Sequence, residues 1–569
     1  QKSTICTDFN NECKQFAQTE LKENANKFPP LRCLLEIDVM DILETFPDIG
    51  DLLLKEPLKW QKICSDILFA CLQAAQNDTI ENVQPAQVFA ITRFKNLPKS
   101  IVNEPPNTRR YSGLVIFEGV LIAVSKPETY VHHTVWSCPE ECEGSEVILH
   151  FIPKVARKCY VCKSVLIENG GLRRCGEKVK ATFKLDNNIY AKHFNIADDL
   201  LCKLALGSRY SIHAIVTQKL TIVFSLEEIV PLSTPITSPI PKDIKELYQA
   251  CDGIPWKFIY CLASCFGCNV CPLNCFMHLK ISLLISLSSI KANMLTGCNI
   301  VHVLVAGFDT RYVGEIMADA ARIADESLVL GASNTAVSTA LIASSGGICV
   351  MPLPLHAYNQ KQISAILAAI ESGEVSTATG KAKLQSAVWA QGMDFKKINV
   401  LNVASIFGTT CRGDLNEYPD EIAEFVLLRA IEPVELNDEE KEALNDVAIY
   451  LDSVAGLEVV LDDAAESLLQ NYFLSARRER PWGLDSRGVS VGSMTALVAT
   501  CVTSARLCRR NVANIDDAVL SIWLHVSGGP EPRLAPEEYL QTPSNVKTLN
   551  NNMNRFKEWL QVFTGTILF

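Results

Sequence analysis

Four cysteines in two close pairs carry the plainest chemistry in this sequence. Three residues separate Cys138 from Cys142, and after sixteen more come Cys159 and Cys162, separated by two. Two thiol pairs joined by a hairpin-length spacer can close a tetrahedral thiolate site around zinc. Such a site stabilises a fold and leaves no open position for catalysis. Cys175 is a spare that could replace one member, and five scattered structural cysteines are the blander reading. A second run, Cys265-Phe-Gly-Cys268-Asn-Val-Cys271-Pro-Leu-Asn-Cys275, has the spacing of a bacterial iron–sulfur segment. That segment ends in Cys-Pro, whereas here Phe276 follows Cys275 and an apolar helix, Phe276–Ile290, starts at once. A turn that packs small residues is therefore preferred.

The stretch from Asn299 to Ala324 is informative for what it lacks. Asn299-Ile-Val-His-Val-Leu-Val-Ala-Gly307 reads as a short buried strand, Phe308–Val313 as a loop, and Gly314–Ala324 as a helix. Strand, loop and helix frame a phosphate-binding loop, which needs a lysine for the phosphates and a hydroxyl for magnesium. Val313 and Gly314 stand where those two should fall. ATP binding is not expected from them, and no Gly-Lys-Ser or Gly-Lys-Thr occurs anywhere in the chain.

These residues sit in a chain of 569 residues, enough for roughly three to four domains. A hydrophobic content of 48% promises ample core, and the net charge of −11 gives no global pull toward nucleic acid. Most of the 22 cysteines lie in apolar runs such as Phe69-Ala-Cys71-Leu and read as small buried hydrophobes. The longest apolar runs, Ile281–Ile290 and Ile300–Gly307, are too short to span a bilayer, and no signal-like segment is seen, so a soluble intracellular protein is expected.

The expected fold class is multidomain, α+β and α/β. Residues 1–105 read as a helical N-terminal domain, with Cys64, Ile67, Leu68, Cys71 and Leu72 as one apolar stripe. Residues 106–235 turn strand-rich, with Tyr111–Val124, Ser208–Val216 and Leu220–Phe224 suiting a small barrel such as an OB-fold. Gly113 and Gly119 are its bend positions, and the cysteine ribbon is inserted at about 137–180. A linker with Pro231, Pro235, Pro239 and Pro241, then a helix, fill 236–297. Strands and helices alternate over 298–436 as in a parallel sheet, with strands at Gly347–Met351 and Asn399–Ser405 and a helix at Gln360–Glu371. Residues 437–527 read as a helical lid, and 528–569 as a weakly patterned tail.

That order resembles the minichromosome-maintenance (MCM) helicases. Gly113–Ser125 resembles the family's first OB strand, Asp463–Arg477 the start of its lid, and Asn514–Ile522 its final helix. The resemblance implies a helical head, an OB-fold with a zinc ribbon, and an AAA+ module with a helical lid. It also implies catalytic positions, and these have changed. The P-loop lysine and serine fall on Val313 and Gly314, and the Walker B acids on Pro352 and Leu353. The sensor-one Asn falls on Ser405, the arginine finger on Glu424, and the sensor-two Arg on Gly492. Phosphoryl transfer depends on cancelling charge on the phosphates, so losing these groups together implies a degenerate, non-hydrolysing module. Of the family's DNA hairpins, one has shrunk between Leu330 and Gly346, while the other could survive at Lys381 and Lys383, whose blander reading is a solvated turn.

A degenerate meiotic branch of the family has such a site. The resemblance implies a nuclear pseudo-ATPase scaffold acting in meiotic recombination and double-strand break repair. It would favour crossovers with other MCM-type proteins as partners on DNA recombination intermediates, including single-stranded DNA. The competing readings are an ATP-dependent helicase subunit and a stand-alone single-strand-binding module using the barrel and ribbon.

Overall fold

The computed structural model describes residues 28–566, apart from 29, 75–82, 99–112, 141, 143–146, 150–151, 187–190, 217–220, 231–239, 333–335, 393–397, 415–418, 432–437, 481–488 and 542–544. The Pro105-Pro106 pair and Pro231, Pro235 and Pro239 of the expected linker lie outside the described residues. The chain forms two compact units, Gln1–Ile229 and Val230–Phe569. The architecture is mixed α/β with several separate sheets.

The first unit begins differently from the all-helical expectation. Strand β1 (Leu31–Asp38) pairs in parallel with β2 (Val88–Lys95), in register from Leu31 opposite Val88 to Asp38 opposite Lys95. Helices α1 (Val39–Thr45), α2 (Pro47–Lys55) and α3 (Pro57–Ala74) make the crossover. Asp38 ends the strand and caps α1, its carboxylate accepting from the N–H groups of Met40 and Asp41. Along α3 Cys64, Leu68 and Leu72 are buried, one residue per turn, while Ile67 and Cys71 face solvent. The stripe is therefore narrower than its composition suggests.

Next come β3 (Leu114–Val124), β4 (Glu128–Ser137), β5 (Val147–Leu149), β6 (Ile167–Glu168), β7 (Arg174–Leu185), β8 (Ala191–Ala197), β9 (Arg209–Val216) and β10 (Thr221–Glu228). Five of them pair in a closed circuit, β3 with β7, β7 with β8, β8 with β10, β10 with β9, and β9 back to β3. All these pairs are antiparallel except β8 with β10. Gly119 lies where β3 changes partners, opposite both Tyr210 of β9 and Leu185 of β7. A Cβ there would collide with the Lys184 carbonyl, so this crossing requires glycine. The irregularity in the pairing falls between Leu121 and Ala123.

The second unit is built around a helix. After α4 (Lys242–Ala250) and α5 (Pro255–Ser264), α6 (Met277–Thr296) is buried from Met277 to Asn293. It starts at Phe276 and ends at Gly297, both in the left-handed region. Strand β11 (Val303–Ala306), helix α7 (Thr310–Ala320), β12 (Ser327–Val329), α8 (Val337–Ala343) and β13 (Ile348–Pro354) follow. Next are α9 (Gln360–Ser372), the hairpin β14 (Glu374–Ser376) and β15 (Lys381–Lys383), then β16 (Ala387–Gly392), α10 (Ile398–Phe407) and β17 (Thr410–Arg412). The five-stranded sheet runs β12-β13-β16-β11-β17, wholly parallel.

Two expectations need correction here. The strand expected at Asn399–Ser405 is helix α10, and the sheet strand before it is β16. A short apolar run with β-branched residues does not distinguish a buried helix from a strand; Val403 and Phe407, four residues apart, are the buried pair. The expected tail is also structured. After helices α11 (Pro419–Ile431), α12 (Asp438–Ala455), α13 (Asp463–Glu479), α14 (Val491–Leu507), α15 (Ile515–Ser527) and α16 (Glu537–Leu540), helix α17 (Val546–Thr564) buries Leu549, Met553, Phe556 and Leu560. These four recur at helical spacing, a stripe diluted by the Asn and Lys residues between them. Trp256 Nε1 donates to Asn550 Oδ1 at 3.1 Å, tying α17 to α5.

Phe556→Ala should therefore destabilise the second unit by about 3–5 kcal/mol, whereas Val562→Ala, at an exposed position, should change stability by less than about 0.5 kcal/mol. Urea unfolding followed by tryptophan fluorescence measures both. Three buried histidines give a pH signature. His278 stacks on Trp523 at 4.3 Å, His302 accepts from the Val388 N–H, and His525 pairs with the Tyr472 hydroxyl. Burial holds each imidazole down to about 4. Between its ordinary value near 6.5 and that value, the unfolded chain binds protons that the folded chain does not. Stability should fall as pH drops through that window and level off beneath it, seen as a lower urea midpoint at pH 5 than at pH 7.

Candidate metal centre and phosphate-loop region

The ribbon cysteines come together. The sulfur atoms of Cys138, Cys142, Cys159 and Cys162 all lie within 4.8 Å of one another. Cys138 Sγ is 3.9 Å from Cys142 Sγ and 3.2 Å from Cys162 Sγ. A tetrahedron with metal–sulfur bonds of about 2.3 Å has edges of about 3.8 Å, so the four could hold one metal ion, zinc being compatible.

The backbone is arranged to point at the sulfurs. Cys138 and Cys142 follow the end of β4, while Cys159 and Cys162 stand on a hairpin closed by the bridge between Lys158 and Val165. The Val161 N–H points at Cys159 Sγ at 3.4 Å, and Lys163 adopts a left-handed conformation (φ 64°) that turns the chain after Cys162. Trp136 and Leu166 cover the cluster on its inner side. The Ser164 hydroxyl and N–H lower Cys162 to about 6, and Cys162 in turn, with burial, pushes Cys142 up to about 12.

Cys175 stands on β7, opposite Val131 of β4, and does not join the group. Cys265 and Cys268 donate to backbone carbonyls, to Leu262 O at 3.0 Å and to Cys265 O at 2.9 Å. Cys271 and Cys275 are buried. Among the described residues only the ribbon thiols gather at ligand distance, so the 265–275 run packs as small neutral residues.

The phosphate-loop region is closed by its own chain. Helix α7 starts at Thr310, so most of the segment that would wrap phosphates is already helical. The N–H groups of Gly307, Phe308 and Asp309 are those that a phosphate would need. They donate to Gly392 O at 3.1 Å, Asp414 Oδ1 at 2.6 Å and Gly413 O at 3.2 Å. Val313 is buried against Gly413, whose Cβ would stand 3.1 Å from it. A Cβ on Gly314 would stand 2.7 Å from Pro352 O, so helix α7 packs directly on the end of β13.

The polar side chain at this junction is Gln391, which sequence reasoning missed. Its Nε2 donates to Pro352 O, and Gln391 lies on β16, between β11 and β13. Ser405 is instead helical, and its carbonyl accepts from Ser490 Oγ at 2.9 Å. That places it beside Gly492, whose Cβ would stand 2.8 Å from the same carbonyl. The signal for Gln391 was the apolar run Ala387–Ala390 ending in Gln-Gly; Asp414 had none beyond a Gly-Asp turn. Leu353 is partly exposed, and Glu424 is exposed on α11. The hairpin bearing Lys381 and Lys383 exists, and across it Lys381 Nζ pairs with Glu374 at 2.8 Å, offsetting its charge.

Comparison with known proteins follows this geometry. A family model described as the MCMDC2 N-terminal domain matches residues 1–97. Minichromosome maintenance domain-containing protein 2 of Rattus norvegicus is 21% identical over 612 residues, covering 91% of this chain and 87% of that protein. Those of Mus musculus and Homo sapiens are each 20% identical with the same coverage. The chain is related to minichromosome maintenance domain-containing protein 2. The similarity covers 91% of the chain and so extends into both units. No helix among the described residues is long and apolar enough to cross a membrane.

Cys159→Ser should reduce metal content measured by elemental analysis and unfold the ribbon, whereas Cys175→Ser should retain full metal. Well-folded wild-type chain without metal would contradict the assignment.

Proposed function

We propose that this chain is a non-catalytic, MCM-like pseudo-ATPase scaffold that acts in the nucleus in meiotic recombination and double-strand break repair. In this reading it favours crossovers by assembling other MCM-type proteins on DNA recombination intermediates. The five-strand circuit supports an OB-fold in the first unit, since an OB-fold is a five-stranded Greek-key barrel. The four gathered thiols support a structural zinc. The central parallel strand β11 followed by α7 supports a degenerate AAA+ module, and the helices from α12 to α15 its lid.

One observation carries the non-catalytic reading. The N–H groups at the end of β11 are used by Gly392, Gly413 and Asp414. Phosphate binding would require breaking those bonds with no lysine at Val313 and no acid at Pro352 or Leu353 to compensate. The roles of meiosis and crossover promotion are carried by the relationship and not by any residue.

The purified chain should bind ATP no better than background and show no turnover. Restoring a lysine at Val313 alone should not create activity, because the missing groups act together. Turnover that follows the protein through a sizing column and is lost on altering Arg311 would overturn the reading. Without nucleotide to bridge subunits, light scattering should report a monomer or a small complex with an MCM-type partner; a stable homohexamer without ATP would contradict it.

A further inference from the structure

The ribbon hairpin has an unusual outer face. Its inner face is built from Cys159 and Leu166, packed with Trp136 and Cys138. In an alternating hairpin the neighbours of such residues point outward and are ordinarily polar. Here they include Val165 and Ile167, which are 50% and 60% exposed. Val155, Tyr160 and Val161 add exposures of 80%, 68% and 55%. The bridge between Lys158 and Val165 and the bond from Leu166 N–H to Arg157 O put the two arms of this hairpin side by side.

The charge on this face is one-sided. From Ile152 to Ile167 the sequence holds Lys154, Arg157, Lys158 and Lys163 and no carboxylate, in a chain whose net charge is −11. All four cations are exposed. Among the described residues, Lys154, Lys158 and Lys163 form no ion pair with a carboxylate. The thiol cluster beneath holds the hairpin in shape, so a partner would meet a preorganised surface.

We propose that this outer face, from Val155 to Ile167, docks an acidic, aliphatic-faced peptide segment of a partner protein. Aliphatic side chains ringed by cations match an apolar interface core with a polar rim. A single-stranded nucleic acid fits less well, because base stacking uses successive aromatic faces and Tyr160 is the single aromatic side chain here. The inference rests on the ribbon being closed by its thiols, not on the state of the nucleotide site. ATP turnover therefore reports on the pseudo-ATPase reading separately.

The test uses the full chain and a fluorescent synthetic amphipathic peptide of leucine and glutamate, read by anisotropy. A counterpart with lysine in place of glutamate and a labelled oligothymidine are the other probes. The acidic peptide should bind, and Val155→Asp and the double variant Lys154→Glu/Lys158→Glu should each weaken it at least tenfold with metal content unchanged. The lysine peptide should bind the double variant better than wild type. The proposal is overturned if the acidic peptide does not bind wild type, or if it binds all variants equally. It is also overturned if oligothymidine alone binds and is lost with the same variants.

Discussion

A helix with no solvent-facing side sets the terms for the second unit. From Met277 to Asn293 every residue of α6 is buried, including two lysines and four serines. Burying a polar group without a partner is costly, and the surrounding elements supply partners to several of these, though Ser288 Oγ has none among the described residues. Lys280 Nζ is held by the carbonyls of Leu273 at 3.2 Å and Pro272 at 3.5 Å, which fixes the cysteine-rich turn before the helix. Lys291 reaches Asp325 and Asp452, joining the α/β sheet region to α12. Ser286 Oγ donates to Val301 O and accepts from Trp389 Nε1 at 2.8 Å, locking the helix to β16. These bonds tie the parallel sheet and α12 to α6.

The same rule about buried backbone groups explains the two candidate sites. At the end of β11 the loop N–H groups find acceptors within the chain, so the space that a phosphate would use has been filled by Gly413, Asp414 and Val313. At the ribbon the reverse holds. Four sulfurs lie within 4.8 Å of one another and could hold one metal ion. One site is satisfied from within and the other invites a ligand.

The chain is about one-fifth identical to the relatives it resembles. The parallel sheet, the strand circuit and the ribbon follow from hydrophobic pattern and cysteine spacing, which tolerate wide substitution.

The sequence by itself pointed to the four thiols that gather in the ribbon, because C-x3-C and C-x2-C pairs at hairpin spacing bring sulfurs together, although it left Cys175 open as a replacement. It indicated three strands of the circuit, β3, β9 and β10, and a strand and a helix within 299–324, because β-branched runs and helical spacing are local signals, but not that the helix starts at Thr310. It placed Val313, Gly314, Pro352 and Leu353, none with a charged side chain, at the positions that the resemblance assigns to the phosphate site. Only the tertiary structure decided that β1 and β2 pair across three helices, because their alternation is too short to read without the partner strand. Only the fold placed α10 as a helix and brought Gln391, not Ser405, to the junction with Gly314 and Pro352. And only packing could show that the N–H groups after β11 are already taken, since a hydrogen-bond acceptor more than a hundred residues away, at Asp414, leaves no trace in local pattern.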